Sequence, residues 1–440
     1  MVIHFLMNQD MIKQIIEDND IKWIQTHFTD LFGRLRVLHI PSGRFLEDNI
    51  INQGSGFDGS SVGLTDVEKS DLIAVPDLET FLVLPHEKNE ARVIADIYNT
   101  SLQPFSIDPR YILKKAVDMA RSNGFDMIKI SPEMEFFVLN QSNDKNRLDI
   151  TNNERYFFPP PLDDAKDYRK SLSNLLLKSG YNLKYHHHEN GRFQHEIEIK
   201  SLDAVNAADF CIYFKFLAKD IANRNNLYAS FMPKLLSKEC GNGMHAHICL
   251  FNNLENIFYD ENDEYNLSQS ARYFIGGIMR HAKGLAAITN PTVNSYKRLV
   301  PNFEAPIYIA WGRHNRSSLL RIAAKENIDI EIRNADPAAN PYLFFAAIIH
   351  AGIDGIKNKV EFDSIEKNIY TMRNDELREY GVEKLPVNLF EAIEEFEKDD
   401  ILKKALGEEF SEIYIEKKKE EFQGYITEIT DLDYKYYFNC

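Results

Sequence analysis

Cysteine, surplus positive charge and long apolar runs are all scarce in this chain. Its four cysteines among 440 residues, Cys211, Cys240, Cys249 and Cys440, show no C-x-x-C spacing and no paired framework. That argues against a disulfide-stapled scaffold and sets the cytoplasm as the expected compartment. Lys and Arg number 51 against 67 Asp and Glu, a net charge of -16, so no excess cation exists to neutralise a nucleic acid or an anionic membrane. An anionic substrate would need a local basic site. The most apolar stretch, Pro341 to Ile356, is interrupted by His350 and Asp354 and is too short to span a bilayer. Met1 to Met7 is followed by Asn8 and Asp10 without a small-residue cleavage site, so no signal peptide is expected. What remains is ordinary for a globular protein: 44% apolar, 27% charged, and long enough for two or three domains.

An amphipathic segment from Asn8 to Asn19 precedes short alternating runs, Ile21 to Phe28 and Leu35 to Ile40, and strand-like runs continue to Tyr98. Asn99 to Ile107 reads as a linker into a helix with Asp108 as N-cap, Pro109 at its first position and Gly124 just beyond its end. A domain boundary is placed near residue 102. Beyond it, strands (Met127 to Leu139, Leu183 to His188, Gln194 to Lys200, Tyr228 to Met232, Met244 to Phe251) alternate with helices (Asp163 to Ser179, Asp203 to Asn225, Ser268 to Ile288). Short turns between adjacent strands imply an antiparallel sheet with helices packed on it, hence α+β. After Asp329 to Arg333 the chain turns helical, and Asp399 to Phe422 carries Glu and Lys on a helical period, most simply a solvated face.

Three polar pairs sit two residues apart in strand-like stretches: Glu133/Glu135, His245/His247 and Glu331/Arg333. Alternation along a strand makes each pair project from one face. Glu189 and Glu196 flank a turn-like Asn190-Gly191-Arg192, and the resulting donor set, rich in carboxylate with a single imidazole, suits magnesium or manganese better than zinc. An isolated E-x-E is more often a strand with one face in water, yet two carboxylates on one face repel unless a cation lies between them. His186-His187-His188-Glu189 invites a zinc site, but its neighbours are carboxylates rather than cysteines.

Asn290 to Ile322 places Arg298, Arg316 and Arg321, with Lys297 and Arg313, among Pro, Asn and aromatic residues. Inside an acidic chain such a cluster is better explained as clamps for carboxylate or phosphate than as a basic surface loop. Glu304 lies in the loop-like Pro301-Asn302-Phe303-Glu304-Ala305-Pro306, and Phe57-Asp58-Gly59-Ser60-Ser61 reads on its own as a turn.

Taken in order, FDGSS with SDLIAVPDLETF, PEMEFF, HHHE with QHE, MPK followed by GNGMHAH, NPTVNSYKRLVP with EAP, NRS with LLRI, and IEIRNADPAANPYL with DGIKNK resemble type I glutamine synthetase, in its shorter branch without an inserted segment. The resemblance runs from about Ile21 to the C-terminal region. It implies a small β-grasp domain, residues 1–102, followed by a catalytic domain, 103–440, with a curved antiparallel sheet and packed helices. It also implies a dodecamer of two stacked hexameric rings with active sites between neighbours. Glu135, Glu189 and Glu196 match the ligands of one Mg2+ or Mn2+ ion; Glu133, His245 and Glu331 match those of a second. Arg298, Arg333 and Gly241 match the glutamate site, Arg316 and Arg321 the groups around the transferring phosphoryl of ATP, and His247 a nucleotide contact. Asp58 and Ser61 match the ammonium site, and Glu304 the flap that closes it. The implied reaction ligates ammonia to the γ-carboxylate of glutamate through γ-glutamyl phosphate.

Four positions depart from that pattern. Arg192-Phe193 replaces Pro-Gly, Cys240 an asparagine, Cys249 a serine, and Asp329 an arginine that helps bind ATP phosphates. An aspartate there is expected to weaken nucleotide binding or to require a compensating cation. The departures keep open a ligase of the same family that uses another amine, and a weakly active regulatory paralogue. Glutamine synthesis leads because Asp58, Ser61 and Glu304 are intact. Tyr370 resembles a tyrosine that one branch adenylylates, and Thr65-Asp66-Val67 stands where the other branch has a feedback arginine; neither control is expected here.

Overall fold

The computed structural model describes residues 7–140, 155–163, 165–301, 303–323 and 328–440. The chain divides into two units, Met1–Phe231 with Leu250–Glu255 and Asn340–Ala346, and Met232–Cys249 with Asn256–Ala339 and Ala347–Cys440.

The first unit opens with helix α1 (Gln9–Asp18), whose start is fixed by the Asn8 side chain accepting the Met11 N–H. Ile12 and Ile16, one turn apart, are buried with Ile24, Ile40, Phe45 and Val93. Each such side chain contributes about 2 kcal/mol of burial. Strands β1 (Trp23–Thr29), β2 (Leu35–Pro41), β3 (Ser55–Asp58), β4 (Asp71–Val83) and β5 (Glu90–Asn99) form a sheet in the order β2-β1-β5-β4-β3. β1 runs parallel to β5 and the other neighbours are antiparallel, the mixed sheet of a β-grasp domain.

Asp108 caps α2 (Pro109–Ser122) by accepting the Arg110 N–H, as its sequence signals indicate. Next come β6 (Met127–Asn140), α3 (Lys166–Lys178), β7 (Leu183–His188), β8 (Gln194–Ile199), α4 (Ala204–Arg224) and β9 (Leu227–Ser230). β6 pairs antiparallel with both β8 and β9, and β8 with β7. The Phe136 ring lies edge-on to Tyr168 of α3 and Phe214 of α4, so Met134 and Phe136 face the helices. Alternation then turns Glu133 and Glu135 to the opposite face.

In the second unit, β10 (Met244–Asn252) is followed by α5 (Gln269–Thr289), β11 (Trp311–Arg313), β12 (Leu320–Ile322) and β13 (Ile330–Ile332). β13 lies antiparallel to both β10 and β12, and β11 is parallel to β12. Helices follow: α6 (Pro341–Asn358), which belongs to this unit from Ala347 on, α7 (Leu389–Lys398), α8 (Asp400–Leu406), α9 (Glu408–Thr427) and α10 (Asp431–Tyr437). A Cβ on Gly277 of α5 would lie 2.1 Å from the Ala351 carbonyl oxygen of α6, so glycine lets these backbones touch.

The run from Asp399 to Phe422 is not one solvated helix. Asp399 accepts the N–H groups of Ile401 and Leu402 to start α8, and Gly407 at φ +99° separates α8 from α9. Lys418, read from the sequence as part of a solvent face, is buried and donates to Glu421 at 2.7 Å. Among the described residues, no helix is long and apolar enough to cross a membrane.

Candidate active site

Strand register gathers the carboxylates of the first unit. Pairing of β6 with β8 sets Glu135 opposite Glu196 and Glu133 opposite Glu198; pairing of β7 with β8 sets His187 opposite Glu196 and Tyr185 opposite Glu198. Directly opposed like charges weaken a sheet, so this face is assembled at a cost that a bound cation would offset. Glu135, Glu189, Glu196 and Glu198 are all buried. Burial, then the fields of Glu133, Glu135, Glu189 and Glu198, push the Glu196 carboxyl well above the usual range. Gln194 donates to Glu135 Oε2 at 3.0 Å, and the Asn190 N–H to Glu189 Oε2 at 3.0 Å. His187 places Nδ1 3.5 Å from Glu189 and Nε2 3.8 Å from Glu196, and its burial lowers its pKa, which favours the neutral, ligating imidazole.

A tight turn carries the chain from β7 to β8, closed by the Glu189 N–H donating to the Gln194 carbonyl at 2.9 Å. Phe193 within it holds φ +65°, with the Arg192 guanidinium 4.8 Å from its ring centroid. Phenylalanine is strained in that left-handed conformation.

The basic groups of the second unit surround Glu331. On β13 it stands opposite both His247 of β10 and Arg321 of β12. Arg321 Nε lies 2.8 Å from Oε2, while Arg333 Nε lies 3.2 Å and His245 Nδ1 3.8 Å from Oε1. Arg298, 2% exposed, donates to the carbonyls of Asn334 at 2.5 Å and Arg333 at 3.4 Å. Arg333 in turn donates to the carbonyls of Arg316 and Ser318. Gly241 is held against Arg298: a Cβ there would sit 2.7 Å from Arg298 Cγ and 2.3 Å from the Pro233 oxygen. Buried guanidiniums anchored by backbone carbonyls are preset for carboxylate or phosphate.

Asp329 Oδ1 lies 2.8 Å from Nδ1 of His247, a counter-charge whenever that imidazole is protonated. Cys240 and Cys249 are half-buried and, among the described residues, in no disulfide. Glu304 is exposed at φ +64°, between Phe303, whose ring lies 3.7 Å from Lys234 Nζ, and Ala305, whose carbonyl accepts the Tyr370 hydroxyl at 3.0 Å. Arg316 is exposed on its loop.

Asp58 ends β3 on the β-grasp domain. It accepts from Ser60 N at 2.9 Å, Ser60 Oγ at 2.6 Å, Ser61 N at 3.3 Å and Ser61 Oγ at 2.5 Å. The serine hydroxyls, Ser60 first, hold its carboxyl down to about 2, so it is ionised at neutral pH. The sequence's turn is thus also a preset anion.

Two residues of the carboxylate face escaped the sequence reading as site residues, His187 and Glu198. The signal was available, because Tyr185 and His187 share one face of β7 as Gln194, Glu196 and Glu198 share one face of β8.

Models of the glutamine synthetase β-grasp domain and of the glutamine synthetase catalytic domain match residues 20–100 and 106–437. Glutamine synthetase of Pyrococcus furiosus is 43% identical over 413 residues, 93% of this chain and 92% of that protein. The Thermotoga maritima enzyme is 40% identical over 440 residues, covering 98% and 99%, and that of Staphylococcus aureus 37% identical over 431 residues, covering 96% of each. Among solved structures, a chain titled GmaS/ADP complex superposes with a TM-score of 0.89 at 30% identity, covering 97% of this chain and 99% of that one. The Plasmodium falciparum glutamine synthetase gives 0.87 at 28% identity, covering 98% of each. Fold and sequence together define an ATP-dependent ligase with a β-grasp domain ahead of a carboxylate-lined sheet. The chain belongs to the glutamine synthetase family.

Proposed function

We propose that the chain synthesises glutamine from L-glutamate, ammonium and ATP, as a type I enzyme of the shorter branch. The observation that carries this reading is the buried, mutually repelling row Glu135, Glu189 and Glu196 in a chain 37% to 43% identical to proteins named glutamine synthetase. The donor set fits hard divalent cations. Glu135, Glu189 and Glu196 are assigned to one Mg2+ or Mn2+ ion, and Glu133, His245 and Glu331 to a second. When bound, the ions supply charge neutralisation for the phosphoryl group in flight.

The remaining roles belong to the chain's own residues. Arg298, Arg333 and Gly241 hold the glutamate carboxylates. A γ-carboxylate oxygen attacks the γ-phosphorus of ATP and ADP leaves, with Arg316 and Arg321 stabilising the equatorial oxygens and His247 contacting the nucleotide. Asp58 and Ser61 draw in ammonium, the ionised Asp58 carboxylate takes a proton from it as ammonia attacks, and Glu304 takes the proton the adduct then loses. Ammonia adds to the carbonyl of γ-glutamyl phosphate, inorganic phosphate leaves, and Glu304 on its loop excludes water during that interval. The domain boundary near residue 102, the cytoplasmic location and the dodecamer of two hexameric rings are parts of the same proposal.

Cys240 beside Gly241, Cys249, Phe193 and Asp329 are the features that favour the second reading, ligation of another amine. Phosphate release is measured with ATP, Mg2+ or Mn2+ and glutamate, adding ammonium, one of several amines, or no nucleophile. Release and glutamine formation with ammonium are expected. Turnover with an amine alone would establish the second reading, and ligand binding without turnover a regulatory paralogue.

A further inference from the structure

We propose that His86, Glu87 and Asp220 form a divalent-ion site outside the active-site cleft, one that takes a first-row transition ion such as Zn2+ and staples the β4–β5 turn to helix α4. None of the three has a part in the reaction above, and the inference holds whichever amine the enzyme uses.

His86 and Glu87 lie in the turn between β4 and β5, and Asp220 lies near the end of α4, all within the first unit. One ligand atom from each falls within 4.8 Å of the others. His86 Nε2 stands 3.9 Å from Asp220 Oδ2, too far for a hydrogen bond. Two donors that share an ion with bonds of about 2.0–2.2 Å sit roughly 3–4 Å apart, so the gap suits a shared ion better than direct contact. The Phe216 ring of the same helix packs edge-on against the imidazole, 6.2 Å between centroids, and limits its rotation.

The imidazole itself supplies the independent observation. Its side chain is 2% exposed, and among the described residues neither ring nitrogen has a hydrogen-bond partner. A neutral imidazole carries one N–H and one lone pair, and each left unmatched in a buried place costs about 1–3 kcal/mol. A cation on Nε2 takes the lone pair. Burial lowers the His86 pKa against the raising fields of Asp220 and Glu87, which keeps that lone pair free of a proton at neutral pH. Asp220 Oδ2 is buried as well and accepts no well-formed hydrogen bond, although Arg224 Nε lies 2.8 Å away. One imidazole with two carboxylates is a borderline donor set, which favours a transition ion over Mg2+.

Arg224 is the competitor for the same place. Its Nη2 pairs with Glu87 Oε1, its Nε approaches Asp220, and its Nη1 donates to the His86 carbonyl at 3.2 Å. Held this way, the guanidinium serves both carboxylates and leaves the His86 ring unmatched, whereas a divalent ion serves all three. Its side chain is 42% exposed, so it can turn to water when the ion arrives. Loss of His86 should therefore weaken ion binding and loss of Arg224 should strengthen it, a pair of opposite effects that a purely structural cluster would not give.

The test counts ions on the full-length chain. Protein stripped with EDTA is titrated with Zn2+ in excess Mg2+ by equilibrium dialysis, as wild type, His86→Gln, Asp220→Asn and Arg224→Ala. Uptake of Zn2+ by the active site is common to all four, so the comparison isolates the His86 ion. Wild type is expected to hold one Zn2+ per chain more than His86→Gln. Asp220→Asn is expected to bind that ion about tenfold or more weaker, and Arg224→Ala about three- to tenfold tighter. Wild-type crystals soaked in Zn2+ give a reading that needs no variant to fold: an anomalous peak about 2.0–2.1 Å from His86 Nε2 is expected. An equal count in wild type and His86→Gln, weaker binding by Arg224→Ala, or the absence of that peak would each overturn the proposal.

Discussion

Phe193 occupies a conformation that glycine adopts freely, and its φ of +65° is the clearest backbone strain near the carboxylate face. Replacing it with glycine removes about 1–2 kcal/mol of left-handed strain. Part of that gain is offset by the lost Arg192 contact and the freer unfolded chain. Phe193→Gly is expected to gain about 0.5–1 kcal/mol net in urea denaturation; a loss of stability would show that the aromatic contact outweighs the strain. Asp329 poses a different question. Its 2.8 Å contact with His247 occupies a nitrogen of that side chain, and on the proposed assignment of His247 to the nucleotide it adds negative charge where phosphates would arrive. Asp329→Asn is expected to tighten ATP binding about three- to tenfold in calorimetry, roughly 1 kcal/mol from reduced repulsion. Unchanged affinity would remove Asp329 from the account of nucleotide binding.

Among elements, the β6–β8 pair is held under electrostatic tension. Burial and four neighbouring carboxylates raise the Glu196 pKa, so the folded chain binds a proton more readily there than the unfolded chain does. Without metal, the stability from this group is present at low pH and declines as pH rises through the raised value. Adding Mn2+ is expected to raise the melting temperature at pH 7 by several degrees, through preferential binding to the folded state. Glu196→Gln should raise the metal-free melting temperature and abolish most of the Mn2+ response.

The helical layer of the second unit carries the opposite case. His281 of α5 bridges Asp399 at the start of α8, Nδ1 at 2.6 Å, and Asp354 of α6, Nε2 at 3.1 Å. Burial alone would lower its pKa, but the two carboxylates outweigh it and raise the value, with Arg280 also 3.4 Å from Asp354. A histidine raised in the folded state stabilises fully below its unfolded pKa of about 6.5 and loses that contribution as pH climbs through the folded value. Wild type should therefore lose on the order of 1 kcal/mol between pH 6 and 9 that His281→Gln does not lose. Parallel pH profiles would rule out the bridge as a source of stability.

For the whole molecule, a net charge of -16 keeps copies apart unless a specific apolar contact overcomes it. Helix α10 exposes Leu432, Tyr434, Tyr436 and Tyr437, with Phe438 just beyond it, each more than half accessible. Exposed aromatic surface of this kind marks association sites, and the proposed rings would cover it with a neighbouring copy. Deleting residues 431–440 is expected to lower the particle mass in mass photometry while the far-ultraviolet circular dichroism per residue stays close to that of the full chain. Retention of the full assembly would place the contacts elsewhere.

Much of this protein was settled locally. The cap at Asp108, the alternation that gives Glu133 and Glu135 one face, and the ordered motifs that announce the family each depend on residues close in sequence, where backbone geometry leaves few choices. Pairing between distant segments was not legible in the same way. Glu198 and His187 join the carboxylate face, Asp329 meets His247, and Glu331 collects Arg321 and Arg333 because strand register is chosen by packing of the opposite, apolar face. The break at Gly407 likewise came from a cap and a left-handed glycine that a helical charge period conceals. Sequence alone thus determined which chemical groups the chain carries and on which side of each strand they stand. Only the tertiary structure decided which of them become neighbours, since that depends on the free energy of burying residues that touch no substrate.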